Sequence, residues 1–356
     1  MRITCLISSL RLGGAERQLV GLASLLGKSG HQVDVLTYRE GDFYAADLER
    51  AGIPHTRLDP SGGSLKLVRR IAGHVRDNGT EVLISFLVGP NIKACLAHRR
   101  YPHFKLVVSE RNCNTCLLPH DLFRFTLFRM EADAVVCNSH AQTAFVSRHC
   151  PGLRLKLETI PNFVDMERFP FSERPCNVPR RVVTVARLNP RKNVLGLIRA
   201  AAEPGLEGLR FDWYGAGADN SYKRRCEALI ARKGLQERFV LHLASDNPAL
   251  ICSQADAFCL PSFYEGTPNS LAEALSCGLP AVCSDVSDNA GYVIPGRNGF
   301  LFNPTDVRSM VRALRRLAAM DDQALAESGS QSRTIAENNF PKELFIKRYS
   351  ELLRGL

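Results

Sequence analysis

No apolar run in this chain approaches the roughly 18 residues that a membrane-crossing helix needs. A helical membrane span is therefore excluded. Acidic residues are in short supply, 36 Asp and Glu against 46 Lys and Arg, for a net charge of +10. Such an excess suits nucleic acid, an anionic membrane face or phosphorylated ligands. No nucleic-acid module and no aromatic-rich RNA-binding strand is present, which leaves membrane and phosphate. Twelve cysteines in 356 residues are too sparse for a disulfide scaffold. Cys5, Cys137, Cys259 and Cys283 sit in apolar segments and read as reduced core residues. Cys113 and Cys116 form a C-x-x-C with no second pair beside it, so no zinc site is expected. The dinucleotide fingerprint G-x-G-x-x-G is missing, and so is any Asp-x-Asp pair. The amino-terminal stretch lacks the length and cleavage site of a secretory signal, so a cytoplasmic protein is expected.

What remains, 45% apolar and 23% charged, is the composition of a folded protein long enough for two domains. Strands are expected at residues 3–8, 32–37, 81–86, 105–109, 133–138 and 157–160, with helical stretches between most of them. That alternation argues for an α/β fold with a doubly wound parallel sheet. Phe169 to Pro179 then carries three prolines and no regular period, which reads as a linker. Further strands follow at 181–186, 209–214, 239–243, 256–261 and 281–283. The expected division is a first domain over 1–168, a linker over 169–179, a second domain over 180–340 and a final helix over 341–356.

The most telling stretch runs from Phe263 to Asp285. Thr267 suits an N-cap and Pro268 the first helical position, where its missing N–H costs nothing. The N–H groups of Asn269, Ser270 and Leu271 then lack intrahelical partners, at the positive end of the helix dipole. That is an anion site, most naturally for phosphate. Glu265 precedes the cap, and Glu273 shares a helix face with Asn269. Two carboxylates repel a bare phosphate. They make sense around one that carries hydroxyl-rich groups on both sides, as a sugar nucleotide does. An ordinary capped helix with two solvated glutamates would leave the same trace. At 187–193, Arg187 ends a strand and Lys192 precedes a helix, which places paired donors and a compact charge where a diphosphate would fit. Near the amino terminus, Gly13 and Gly14 stand between a strand and a helix, where backbone can approach a ligand closely.

Glu265-x7-Glu273, with Gly-Thr-Pro-Asn-Ser between and Gly-Leu-Pro-Ala-Val after, resembles the E-x7-E signature of the retaining glycosyltransferases of family 4. The resemblance implies two Rossmann-like domains facing each other across a cleft, the GT-B arrangement, with the last helix crossing back to the first domain. It implies that Glu265 lies against the donor sugar, that Glu273 holds the ribose hydroxyls, and that Arg187 and Lys192 bind the diphosphate. Gly13-Gly14-Ala15-Glu16 is similar to the family's glycine-rich loop facing the donor, and Asp246 falls in a loop that lies beside the base. Many relatives carry a histidine where this chain has Glu110-Arg111, so no catalytic histidine carries over. Glu110, Asn112 and Glu16 stand as weak candidates for acceptor contact. Asn138-Ser139 resembles a further family position, and a plain helix cap explains it equally well.

The expected activity is transfer of a hexose or N-acetylhexosamine from a nucleoside-diphosphate sugar, UDP before GDP, to an acceptor hydroxyl with retention. A glycan or lipid-linked saccharide is the expected acceptor, and neither a metal nor another cofactor is implied. A sugar-nucleotide epimerase or hydrolase, or a non-catalytic nucleotide-sugar binder, would need many of the same residues. A phosphorylase-like enzyme of this fold would need a longer chain and a lysine-bound pyridoxal phosphate. Leu117 to Met130 sets three phenylalanines beside Arg124 and Arg129, a pattern that suits an anionic membrane face as well as a core helix. A peripheral position on the inner face of the cell membrane follows from the first alternative.

Overall fold

The computed structural model describes residues 1–172, 177–217 and 220–356. Residues 173–176 of the expected linker lie outside the described residues. The chain divides into two compact units, Met1–Asn162 with Glu343–Leu356, and Phe163–Lys342. The division falls six residues ahead of the expected boundary at 168. Val164 and Phe169 are buried in the core of the second unit, and the Val164 N–H donates to the Phe340 carbonyl there.

The first unit alternates strand and helix: β1 (Arg2–Leu6), α1 (Gly14–Lys28), β2 (Gln32–Thr37), α2 (Ala45–Arg50), β3 (His55–Arg57), α3 (Gly63–Asp77), β4 (Val82–Phe86), α4 (Val88–Arg100), β5 (Lys105–Glu110), α5 (Pro119–Glu131), β6 (Ala134–Cys137), α6 (His140–His149) and β7 (Leu157–Thr159). The seven parallel strands lie in the order β3-β2-β1-β4-β5-β6-β7. Near-continuous Val, Ile and Leu in β4 and β6 follow from burial on both faces. The short edge strand β3 has no sequence signal, because three residues hold no period and two of them are exposed.

The second unit continues with β8 (Arg180–Val185), α7 (Val194–Ala201), β9 (Leu209–Ala216), α8 (Ser221–Arg232), β10 (Phe239–Leu243), α9 (Pro248–Ser253), β11 (Ala257–Leu260), α10 (Asn269–Ser276), β12 (Ala281–Ser284), α11 (Asn289–Tyr292), β13 (Gly299–Phe302), α12 (Val307–Ala318) and α13 (Asp322–Asn339). Its six parallel strands lie in the order β10-β9-β8-β11-β12-β13. One face packs Leu197, Trp213, Met310 and Leu314, and the other packs Phe258, Leu271, Leu275 and Phe340. Both units are thus doubly wound parallel sheets, as expected from the alternation of elements.

The last helix, α14 (Lys342–Arg354), belongs to the first unit from Glu343 onward. Tyr349 anchors it: its hydroxyl accepts from Arg111 Nη2 at 2.8 Å, and both side chains are buried. Arg111 also donates to Asn162 Oδ1 at 2.9 Å and lies over the Phe86 ring.

Asp212, buried on β9, gathers Arg181 Nε at 2.7 Å and His242 Nε2 at 2.7 Å from the flanking strands. Burial works to raise its pKa, but the bonds from His242 and Arg181 outweigh it and hold the carboxyl below its usual range. A lowered native pKa adds stability that is present above the unfolded value and lost as pH falls through the native one. Asp212→Asn should therefore cost about 1–3 kcal/mol at neutral pH. Denaturant melts should show that gap closing as pH drops below about 4, the ordinary aspartate range; a constant gap across the titration would overturn the assignment.

Candidate functional site

In the second unit the site is built where β8 and β11 hand over to their following loops. Trp213 Nε1 donates to the Ala186 carbonyl at 2.9 Å, and the Leu188 N–H donates to the Gly215 carbonyl at 3.0 Å. Gly215 has φ +129°, and a Cβ there would stand 2.2 Å from the Ala186 oxygen. Only glycine lets the two backbones come this close. The contact fixes the end of β8 and hence the root of Arg187, whose side chain is exposed. A short 3₁₀ turn, Pro190–Lys192, follows, and Asn193 in the left-handed region (φ +56°) starts α7. The Arg191 carbonyl accepts the Phe263 N–H at 2.9 Å, and the Arg191 guanidinium lies over the Tyr264 ring. These contacts lay the 187–193 loop against the segment that carries Glu265.

The outcome is a buried ion pair. Lys192 Nζ donates to Glu265 Oε1, and both side chains are largely shielded from water. Burial pulls the ammonium below its usual range, Glu265 works in the opposite direction, and Arg191 and Arg187 add to the lowering. Arg187 is therefore near enough to be felt electrostatically by Lys192. Ser287 holds Glu265 from behind: its hydroxyl donates to the Glu265 carbonyl, and the Glu265 N–H meets the Ser287 oxygen at 3.4 Å. Ser287 has φ +51° and arrives on the loop after β12. Nothing in its sequence setting marks it.

α10 begins one residue later than expected. Pro268, not Thr267, is the cap, and Asn269 is the first helical residue. The Leu271 and Ala272 N–H groups both donate to the Pro268 carbonyl at 3.1 Å, so Leu271 does not offer a spare donor. The proline in extended conformation turns its carbonyl into the first turn, which leaves Asn269 and Ser270, both half-buried, at the head of the helix. Glu273 is buried one turn further on. Asp246 is exposed on the loop after β10, where its carbonyl accepts from Arg168 Nη2 at 3.2 Å. Arg187, Lys192, Glu265 and the head of α10 form one neighbourhood, whereas the bond that Asp246 makes, to Arg168, runs through its backbone carbonyl. An open depression of about 670 Å³, lined in part by Arg297, Phe300, Met320 and Gln331, shares no residue with this group.

Comparison with known proteins supplies the context for this geometry. Residues 12–168 match the family described as Glycosyltransferase Family 4, and residues 165–333 match Glycosyl transferases group 1. The chain carries both halves of a glycosyltransferase. An α-1,4-N-acetyl-D-galactosaminyltransferase of Campylobacter jejuni, named for a GalNAc-GalNAc-diNAcBac-PP-undecaprenol substrate, is 25% identical over 99% of each chain. A UDP-Gal:α-D-GlcNAc-diphosphoundecaprenol α-1,3-galactosyltransferase of Escherichia coli is 29% identical over 52% of this chain, which spans about half (51%) of that protein. Among solved structures, Anabaena HepE in complex with UDP and glucose is 21% identical over 100% of both chains, with a TM-score of 0.86. That likeness shows the fold.

In the first unit of this glycosyltransferase, Gly13 caps α1 in extended conformation and Gly14 is its first residue. A Cβ on Gly13 would stand 2.2 Å from a Glu16 carboxylate oxygen, because Glu16 folds back over the start of its own helix. Glu16 is buried there, at the start of its own helix. Glu110 is buried as well. It is 1% exposed, its Oε2 lies 3.0 Å from Arg124 Nη2, and Asn91 Nδ2 reaches its other oxygen at 3.5 Å. Burial raises its pKa, against the pull of Arg124. Asn112, the next outward residue, is exposed. Ser139 Oγ accepts the Gln142 N–H at 3.2 Å and caps α6, the plainer of the two readings of that residue. Cys113 and Cys116 are free thiols, and no group of three metal-ligating side chains gathers among the described residues.

Proposed function

We propose that this glycosyltransferase moves a hexose or N-acetylhexosamine from a UDP-sugar to a lipid-linked saccharide, with retention at the anomeric carbon and without a metal. The observation that carries the reading is the buried Lys192–Glu265 pair beside Arg187 and the head of α10. A departing nucleoside diphosphate gathers negative charge. A desolvated ammonium, a guanidinium and the positive end of a helix would meet that charge without reorganising. Glu265 orients the ammonium and stands where a hydroxyl-rich group on the diphosphate could be read. Glu273, one turn into the helix, is the candidate for the ribose hydroxyls.

UDP as the nucleotide is supported by the names of the Escherichia coli relative and of the Anabaena structure. Both relatives named above form α linkages, and a UDP-hexose carries its sugar through an α bond, so retention fits the group. Both also act on undecaprenol-linked diphosphosaccharides, which supports a lipid-linked acceptor and a peripheral position at the inner face of a membrane. Gly13, Gly14 and Asn112 remain the first unit's candidates for donor and acceptor contact, and Asp246 that for the base.

A thermal-shift series with UDP, GDP and their sugars tests the donor. A ligand at about a hundred times its dissociation constant adds roughly 2.7 kcal/mol to the folded state, so UDP should raise the melting temperature by several degrees. Equal shifts with UDP and GDP would remove the nucleotide assignment. The series also has a pH signature. Diphosphate binding needs the protonated Lys192, so the UDP shift should fade as pH rises through the native lysine value. That loss should come at lower pH than an ordinary lysine's, about 10.4.

A further inference from the structure

α5 presents the reverse of what a water-facing helix normally shows. Its inward side carries charge: Asp121 and Arg124 are both buried, 3.1 Å apart, with Arg124 also bound to Glu110. Its outward side carries Leu122, Phe123 and Met130, which are 50%, 59% and 56% exposed, together with Thr126 and Arg129. Phe125 and Phe128, by contrast, are core residues. Helical geometry sets Phe123, Thr126 and Met130 in one row, with Leu122 and Arg129 alongside. Leu118 at the helix start extends the apolar row toward the carboxyl edge of the sheet, the edge where open α/β folds bind ligands.

At the other end the row continues onto the 3₁₀ turn Pro151–Lys156. A Cβ on Gly152 would stand 2.7 Å from Arg129 Cδ, so this turn abuts the helix. Leu155 on it is fully exposed and Arg154 is exposed beside it. Lys156 Nζ donates to the Arg129 and Ala132 carbonyls, which closes the end of α5 with a cation. No exposed carboxylate lies on the outward side of α5, since Asp121 is buried and Glu131 is engaged by His98 at 3.1 Å. Exposed apolar residues bordered by cations and free of acids complement a negatively charged, partly apolar surface.

We propose that the outward side of α5 and the Pro151–Lys156 turn dock the first unit on an anionic lipid bilayer. The inference rests on the reading of a lipid-linked acceptor, because such an acceptor would have to be met at a bilayer surface. Phe123, Met130 and Leu155 would enter the boundary between headgroups and acyl chains, while Arg129 and Arg154 would meet lipid phosphates.

The test is co-flotation of the full chain with phosphatidylcholine vesicles, with and without phosphatidylglycerol. Wild-type protein should float with the anionic vesicles, far less with neutral ones, and be released by salt. Phe123→Asp with Met130→Asp, and separately Arg129→Glu, should each lower partitioning by about tenfold or more. Both variants should keep the wild-type melting temperature and UDP shift, which separates loss of docking from loss of fold. Wild-type protein that stays in solution with anionic vesicles overturns the proposal. So do variants that float as well as wild type. A dimer that the substitutions dissociate, with vesicles ignored, would assign the face to a second copy and overturn it too. Absence of a UDP shift in wild type would sink the donor reading, and the vesicle result would still stand on its own.

Discussion

Lys192→Ala should lower turnover by a hundredfold or more, corresponding to about 3–4 kcal/mol of lost transition-state stabilisation. Two effects add. The ammonium that would face the leaving diphosphate is gone, and Glu265 is left buried without its cation. An unpaired carboxylate at that position repels the anion that the site must hold. The structure also predicts how the loss divides. Because Lys192 would gain strength as charge develops on the leaving group, kcat should fall more than donor affinity. Glu265→Gln should weaken activity while leaving the lysine its hydrogen-bond acceptor, and Arg187→Ala, at an exposed position, should cost less than Lys192→Ala. Steady-state release of UDP from the sugar donor measures all three. A Lys192→Ala enzyme within tenfold of wild type would falsify the role assigned to the pair.

Arg124→Met should destabilise the first unit by about 3–5 kcal/mol. Arg124 holds Glu110 at 3.0 Å, Asp121 at 3.1 Å and Asn114 Oδ1 at 2.7 Å, all at or near the carboxyl edge of β5. Asn114 is braced a second time by Gln142, whose Nε2 donates to it at 2.9 Å and whose Oε1 accepts its N–H at 2.8 Å. Methionine fills much of the same volume but leaves two buried carboxylates without their guanidinium. Glu110→Gln and Asp121→Asn in the same chain remove those charges and should recover a large part of the loss, because a neutral set of similar shape costs little. Urea melts of the single and triple variants decide the matter. A single variant within about 1 kcal/mol of wild type, near the value for an exposed pair, would mean that the network is not the brace described.

The burial of Glu110 and that of Arg124 have one physical cause. Glu110 and Arg124 were both legible as charged residues at a loop and on an amphipathic helix, and charge at such places usually faces water. Here each neutralises the other, and sequence order cannot show that residues fourteen positions apart will meet in the interior. The same pairing reversed the expected surface of α5: Arg124 turned inward, Phe125 and Phe128 went to the core, and Phe123 alone of the three rings stayed outside. In the second unit, the head of α10 shifted by one residue because Pro268 kept an extended backbone and supplied its carbonyl to the first turn. Capping rules place such a start only to within a residue or two.

The alternation of strands and helices, the two parallel sheets and the Gly-Thr-Pro-Asn-Ser helix start could be read along the chain, the short edge strand β3 excepted, and Arg187, Lys192, Glu265 and Glu273 stood out there as candidates. Each depends on local period, turn chemistry or a motif whose spacing is preserved in sequence. Tertiary structure alone decided that Lys192 and Glu265, 73 positions apart, form one buried pair, and that Ser287 holds the glutamate from a third loop. It also decided which arginine is interior and which apolar side chains remain outside. Burial and the partners of a charge arise from packing between distant segments, and only the folded chain brings those segments together.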